Sequence, residues 1–393
     1  MFRVPRLDFV EGIWDLTRSG SVVLAGSPGV GKSWTIGQLM KRSRAENRRF
    51  LSLSAEDFEV NSVDQLQQAL GFKGDIVSLL SSFGTEPLLI IDGLDALRGE
   101  ASQKAFRDLI KGVNTALPQC SVVVSVRTFD LQQSPELERL FSNPRNVRSF
   151  STVTTPPFSD DDLRLACDQV PALKTVIAVS GSDEIRELLR NPFNLRLAVE
   201  LLEAGTGVED FSSIHSQVQL LQRYWFMRVE APRDGTDRKA LLREIAGEMV
   251  NRRSLSVREG DLRLQGMGDA LRELRSAEVL RESVTDRISF SHNILFDYAV
   301  ARLLLDESQF FGFASDPTRT IFFRPSILHF FHHMWWNDRG LFWEVASRCF
   351  SDAKLPERAK VVPAVVITES PARWTSSPHF SRKQLLQHVT DSQ

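Results

Sequence analysis

The stretch Gly26-Ser27-Pro28-Gly29-Val30-Gly31-Lys32-Ser33 constrains this chain more than any other part of it. It fits the spacing G-x-x-x-x-G-K-[ST], with an apolar run over residues 22–25 before it and a helical pattern over 34–42 after it. The pattern needs that context: a strand that delivers the chain into a tight loop, and a helix that leaves it. Glycines at 26, 29 and 31 let the backbone curl so that its N–H groups face an anion, and the helix N-terminus adds a favourable dipole. Lys32 is then expected to reach the β- and γ-phosphates of a nucleotide, and Ser33 to offer its hydroxyl to Mg²⁺.

At 393 residues the chain is too long for one ordinary core. Up to about residue 155 short apolar runs (SVVLAG, RFLSLS, PLLIID, CSVVVSV, VRSFSTV) alternate with helix-like segments, which predicts buried strands of a parallel sheet. The loop therefore sits in an α/β nucleotide-binding domain, 1–156. After it, TTPPFSDDDLRLA puts a proline pair ahead of Ser159, Asp160 and Asp161, a boundary leading into a helix N-cap. Apolar residues at three- and four-residue spacing then predict a helical domain over 157–208. Helices closed by the short strand-like RISFSHN fit a winged-helix-like domain over 209–306, and a Phe- and Trp-rich helical region follows over 307–393.

Two further runs place polar residues at the ends of apolar strands. PLLIIDGLDAL ends its strand on Asp92, where a carboxylate can hold Mg²⁺ through water. Asp95, three residues on, can orient or deprotonate an attacking water, or can be a plain helix N-cap. SVVVSVRTFD brings Arg127 to the carboxyl edge of the sheet, where ligands of open α/β sheets bind. There it is read either as a contact to the γ-phosphate or as a surface arginine.

Composition narrows the remaining classes. The formal net charge is −2, so no global field advertises nucleic acid or an anionic membrane. Three widely spaced cysteines predict neither a disulfide framework nor a zinc site, which fits a reducing cytosol. No signal peptide is expected at the start, and no run reaches the ~18 to 20 apolar residues of a membrane helix. HFFHHMWW sets His329, His332 and His333 at helical spacing, but no Asp, Glu or Cys joins them locally, which favours a packed aromatic face over a metal site. The aromatic tail is also a candidate docking surface for a partner or a second protomer. The basic run MKRSRAENRRF reads as a solvated helix face before it reads as a nucleic-acid contact.

GSPGVGKS, LLIIDGLDAL and VVVSVRTF together resemble the nucleotide-binding domain of STAND-class P-loop NTPases of the AAA+ superfamily, in particular its NACHT-like branch. The Asp-Gly-Leu-Asp form of the second motif points there, since many other AAA+ ATPases carry adjacent Asp-Glu. LLRNPFNLRLAVELL is similar to the family's helical-domain motif, whose proline lies against the nucleotide, and Pro192 occupies that position. FSHNILFDYAVARLL is similar to its winged-helix motif, with His292 matching the histidine that touches the ADP phosphate.

The resemblance covers residues 20–305 and implies bound ATP or ADP with Mg²⁺. The loop residues through Trp34 would line the nucleotide, and Lys32, Asp95 and Arg127 would serve catalysis. It further implies slow hydrolysis, a closed ADP state and, once a ligand is sensed, a homo-oligomer that drives an effector protein, as in antiphage and innate-immune relatives. Little chain precedes the loop and the C-terminal region is short for a repeat-built sensor, so the expectation is either a core fragment or an effector and sensor that lie elsewhere. Two alternatives remain: an AAA+ ATPase with a winged helix acting on DNA, such as an origin-binding protein or helicase loader, and an interaction module that binds nucleotide without hydrolysing it.

Overall fold

The computed structural model describes residues 4–97, 100–143, 146–179, 183–231, 235–263, 266–282, 286–316 and 323–369. These divide into two compact units: Met1–His215 with Arg253–Ser256 and Ser283–Arg287, and Ser216–Arg252 with Val257–Glu282 and Ile288–Gln393. The four-segment division expected from the sequence is finer than this partition. The last part of the expected C-terminal helical region, 370–393, lies outside the described residues.

The first unit is built on five parallel strands, β1 (Ser21–Gly26), β2 (Phe50–Ser54), β3 (Leu88–Asp92), β4 (Ser121–Arg127) and β5 (Phe150–Thr154), in the order β2-β3-β4-β1-β5. The central strands are apolar at nearly every position because both faces of the sheet are covered. Val23, Leu89, Ile91, Val122, Val124 and Val126 pack with Phe106, Leu109, Ile110 and Val113 of the helix Glu100–Ala116. Alternate residues, Val22, Leu24, Leu88, Ile90 and Val123, pack with Ile13, Trp14, Ile36 and Leu39 of the helices Leu7–Ser19 and Lys32–Ala45.

All five apolar runs form strands, but β2 and β5 are half-covered edges and not buried strands. Ser52, Ser54, Ser151, Thr152 and Thr154 make this intelligible, since hydroxyl-bearing residues suit an edge that meets water. Beyond the sheet come four helices, Asp160–Gln169, Pro171–Val179, Asp183–Leu189 and Pro192–Glu203. The first starts on a capping box: Ser159 accepts from the Asp162 N–H while the Asp162 carboxylate accepts from the Ser159 N–H.

The second unit is mainly helical. The helix Gly235–Arg252 is followed by a three-stranded sheet in the order Ser256–Arg258, Arg287–Phe290, Leu280–Glu282, with the helix Gly268–Ser276 between its first two strands in sequence. RISFSHN forms the strand Arg287–Phe290 and leads into the helix Asn293–Leu303. Further on, the helices Arg324–Asn337 and Arg339–Ser351 bury a string of edge-on rings, Phe310, Phe331, Phe342 and Trp335. No described helix is long and apolar enough to cross a membrane.

His329 lies inside this aromatic core, edge-on to Tyr298, and burial pulls its imidazole down to about 4. His332 and His333 are lowered to about 4 in the same way, and His333 also meets the Arg302 guanidinium at 2.7 Å. An unfolded chain protonates histidine near pH 6.5, so between that pH and about 4 the unfolded state binds more protons. Stability is therefore unaffected above pH 6.5 and falls as pH drops towards 4, His329 alone costing about 3 kcal/mol by the end of that range. Denaturant midpoints measured from pH 7 to 4.5 should fall more steeply in the wild type than in a His329→Phe variant. Parallel slopes would show that His329 does not titrate in this way.

Candidate functional site: a phosphate loop faced by two acids

The loop that opens the sequence argument lies at the carboxyl end of β1, next to β4 on one side and β5 on the other. Its backbone needs glycine at three positions, Gly29 (φ 78°) and Gly31 for their left-handed backbone and Gly26 for lack of room. Gly31 has φ 101°, in the left-handed region that side-chain-bearing residues avoid. Gly26 is packed so closely that a Cβ would stand 2.8 Å from Val30 Cγ1 and 3.2 Å from Thr155 Cβ. The helix that leaves the loop starts at Lys32, two residues earlier than its apolar pattern indicates, because Gly31 serves as its N-cap.

Ser27, Pro28, Gly29 and Val30 form the body of the loop, and Trp34 lies on the first turn of the helix, packed against the β1-side core. The Lys32 ammonium donates to the carbonyls of Gly26 at 2.8 Å and Ser27 at 3.1 Å. Burial lowers its pKa, and the charge of Asp95 opposes that shift. A cation held across a glycine-rich loop at a helix N-terminus is well placed to meet a polyphosphate.

Facing the loop, the tip of β3 carries Asp92. Ser125 donates to its carboxylate at 2.5 Å, and burial as the largest influence raises its pKa, with Ser125 and Ser33 pulling the other way. The Ser33 hydroxyl, at the start of the helix Lys32–Ala45, and the Asp92 carboxylate, at the end of β3, are hard oxygen donors of the kind that Mg²⁺ takes alongside phosphate oxygens. Bound there, the ion would neutralise charge on the transferred phosphoryl group.

Ser125 itself was not singled out in the sequence. It bridges the Asp92 carboxylate and the Gly93 N–H, which it accepts at 2.7 Å. A signal was available: it is the polar residue inside a valine run, and a hydroxyl buried in a central strand must find a partner.

Two residues further along β4, on the same side of the strand, Arg127 meets Asp95. The carboxylate accepts from Arg127 Nε at 2.8 Å and from its backbone N–H at 3.1 Å, and the two side chains are only 9% and 5% exposed. Arg127 is therefore not a surface arginine. Asp95 itself lies in a short 3₁₀ turn, Leu94–Ala96. The structure joins these two residues to each other.

Pro192 also lies at the loop. Its Cγ is 3.9 Å from where a Gly31 Cβ would stand, and its neighbours hold the loop backbone: Asn191 Nδ2 donates to Pro28 O at 3.0 Å and the Phe193 N–H to Gly29 O at 3.1 Å. His292 belongs to the second unit, where it caps the helix Asn293–Leu303 by accepting the Ile294 N–H on Nδ1. Among the described residues no group of three or more His, Cys, Asp or Glu side chains is arranged to hold a metal.

Residues 22–143 match the family model for the "ATPase family associated with various cellular activities (AAA)". No curated protein matches the chain significantly. Among solved structures the chain is similar to the Orc1 protein of Aeropyrum pernix in complex with DNA, at 14% identity over 75% of this chain and 90% of that one, with a TM-score of 0.38. It is similar to a Walker-type ATPase of Pyrococcus abyssi, at 13% identity over 75% and 95%, TM-score 0.37. A STAND protein with a tetratricopeptide repeat sensor from Pyrococcus horikoshii is similar at 12% identity, TM-score 0.41; 99% of this chain is covered but only 57% of that one. The strand-loop-helix phosphate cradle and the parallel sheet agree with the match of residues 22–143 to AAA-type ATPases, and they support a P-loop nucleotide-binding domain there.

Proposed function

We propose that this chain is a slowly hydrolysing STAND-class switch of the NACHT-like branch, held closed by ADP and released to assemble when ATP and a sensed ligand are present. The observation that carries this reading is the buried Asp95–Arg127 pair. In a fast motor the water-activating acid stands ready beside the γ-phosphate. Here it is tied to the arginine that would report the γ-phosphate, an arrangement suited to infrequent, regulated turnover. Lys32 and the loop residues 26–34 hold the phosphates, Ser33 and Asp92 the Mg²⁺, and Pro192 borders the nucleotide. His292 is assigned to the ADP phosphate by the family motif alone.

In this reading the helix-strand-helix-strand-strand order over 235–290 is part of the winged-helix-like domain, 209–306, and the region after 306 is where an effector or a second protomer docks. Defence signalling of the antiphage or innate-immune type is the process that the resemblance suggests. The reading on DNA would need free cations in the region 250–305. There Arg252 is paired with Asp261, Arg275 with Glu259 and Arg272 with Asp269, while Arg258 and Arg263 make no ion pair among the described residues, so charge pairing does not separate the two readings.

Light scattering after size exclusion distinguishes the readings. The wild type with ADP and Mg²⁺ should stay small, whereas Asp95→Asn loaded with ATP should trap the nucleotide and shift to a larger assembly. If Asp95→Asn behaves like the wild type in nucleotide retention and size, the nucleotide serves a passive interaction module instead. A gel shift that is strong at low salt and falls steeply as salt rises would transfer support to the DNA reading.

A further inference from the structure

The phosphate loop is gripped from behind. In a loop that turns its N–H groups towards an anion, carbonyls point the other way, and they must be satisfied by something other than the ligand. At Pro28 and Gly29 that something is the turn entering the helix Pro192–Glu203: the Asn191 side-chain amide donates to Pro28 O at 3.0 Å and the Phe193 N–H donates to Gly29 O at 3.1 Å. The same Asn191 accepts the Phe193 N–H on Oδ1 at 3.0 Å and so caps its own helix. One amide group thus uses its oxygen for the helix and its nitrogen for the loop. The turn is held in its turn by Asn194 Nδ2 on Leu188 O and by Arg190 on Phe158 O.

We propose that Asn191 is a positioning residue for the phosphate loop: it fastens the loop's carbonyl side to the helix Pro192–Glu203 and thereby slows nucleotide release. The inference rests on the nucleotide site proposed above. Its physical content is that the loop cannot rearrange to let phosphate go without breaking two hydrogen bonds to a helix anchored in the core through Leu195, Leu197, Ala198 and Leu201. Because the grip is on the carbonyl side, it leaves the N–H side available to the anion, so association is little affected and dissociation takes the effect. The helix is also the element that feels any change in loop shape, which makes Asn191 a mechanical link from phosphate to the helices beyond the sheet.

Substitutions separate the two uses of the amide. Asn191→Ser and Asn191→Asp keep an oxygen that can cap the helix but lose the donor to Pro28, whereas Asn191→Ala loses both. Release of a fluorescent ADP analogue, chased with excess ADP in stopped flow, should be about fivefold faster in Asn191→Ser than in the wild type, with an unchanged association rate. Asn191→Ala should release at the same raised rate as Asn191→Ser but melt at a lower temperature, the difference being the lost cap. Release from Asn191→Ser and Asn191→Asp at the wild-type rate would overturn the role of Asn191. A release rate raised only in Asn191→Ala, in step with its melting temperature, would reduce the residue to a helix cap. Failure of the wild type to bind the analogue at all would instead overturn the site on which the inference rests.

Discussion

Lys32→Ala should weaken nucleotide binding by about 100-fold, the cost of removing a partly desolvated cation from a phosphate cradle. Lys32 reaches across the loop to Gly26 O and Ser27 O, so its ammonium is pre-positioned where the β- and γ-phosphates of a nucleotide would lie. These bonds lie at the surface of the loop and not in a packed core, so the variant should melt close to the wild type in the absence of nucleotide. Titration with a fluorescent ADP analogue checks both halves of the expectation when each protein is also melted without ligand. A Lys32→Ala protein that binds as tightly as the wild type would remove the loop from the account of nucleotide binding.

Arg127→Ala should lower the melting temperature of the first unit by ~10 °C, because it strands the Asp95 carboxylate in a nearly dry position. Breaking a buried pair from one side costs about 3–5 kcal/mol, and a unit of this size shifts by about 2–4 °C per kcal/mol. The two side chains are almost wholly excluded from water, which is what separates this pair from surface pairs such as Arg164–Asp161, where a loss of ~0–1 kcal/mol is expected. The double change Asp95→Leu with Arg127→Met should recover most of the lost stability, since apolar residues of similar volume replace a buried ion pair at little cost. Hydrolysis, by contrast, should not return in the double variant. Thermal melts of Asp95→Leu, Arg127→Met and the double variant give a cycle in which additive losses would contradict the coupling.

The strands and the loop were legible because each is set by local chemistry. Valine and isoleucine runs over residues 21–26, 88–92 and 121–127 have no polar face, and a chain segment of that kind is stable only inside a sheet covered on both sides. The G-x-x-x-x-G-K-[ST] spacing carries its own backbone requirement, visible in the left-handed Gly31. The edge position of β2 and β5 was hidden, since hydrophobicity alone does not order the strands of a sheet.

Pairwise relations were hidden for a related reason. Asp92, Asp95 and Arg127 each stood out by place at a strand end, but their partners come from the parallel pairing of β3 with β4, a contact between segments about thirty residues apart. Ser125 could have been found by asking where a hydroxyl in a buried valine strand goes. Asn191 draws no reading of its own beside Pro192, and nothing in its neighbours announces that its nitrogen reaches Pro28.

The central claim is that the loop over residues 26–33 holds a nucleotide and that the protein rests with ADP. Purifying it without added nucleotide, denaturing it and separating what is released by ion-exchange chromatography tests that claim most directly, with Lys32→Ala prepared in parallel. Near-stoichiometric ADP from the wild type and none from Lys32→Ala is the expected result. A wild-type site that releases nothing would contradict a resting ADP state and turn attention to freely exchanging ATPase chemistry and its stimulation by DNA.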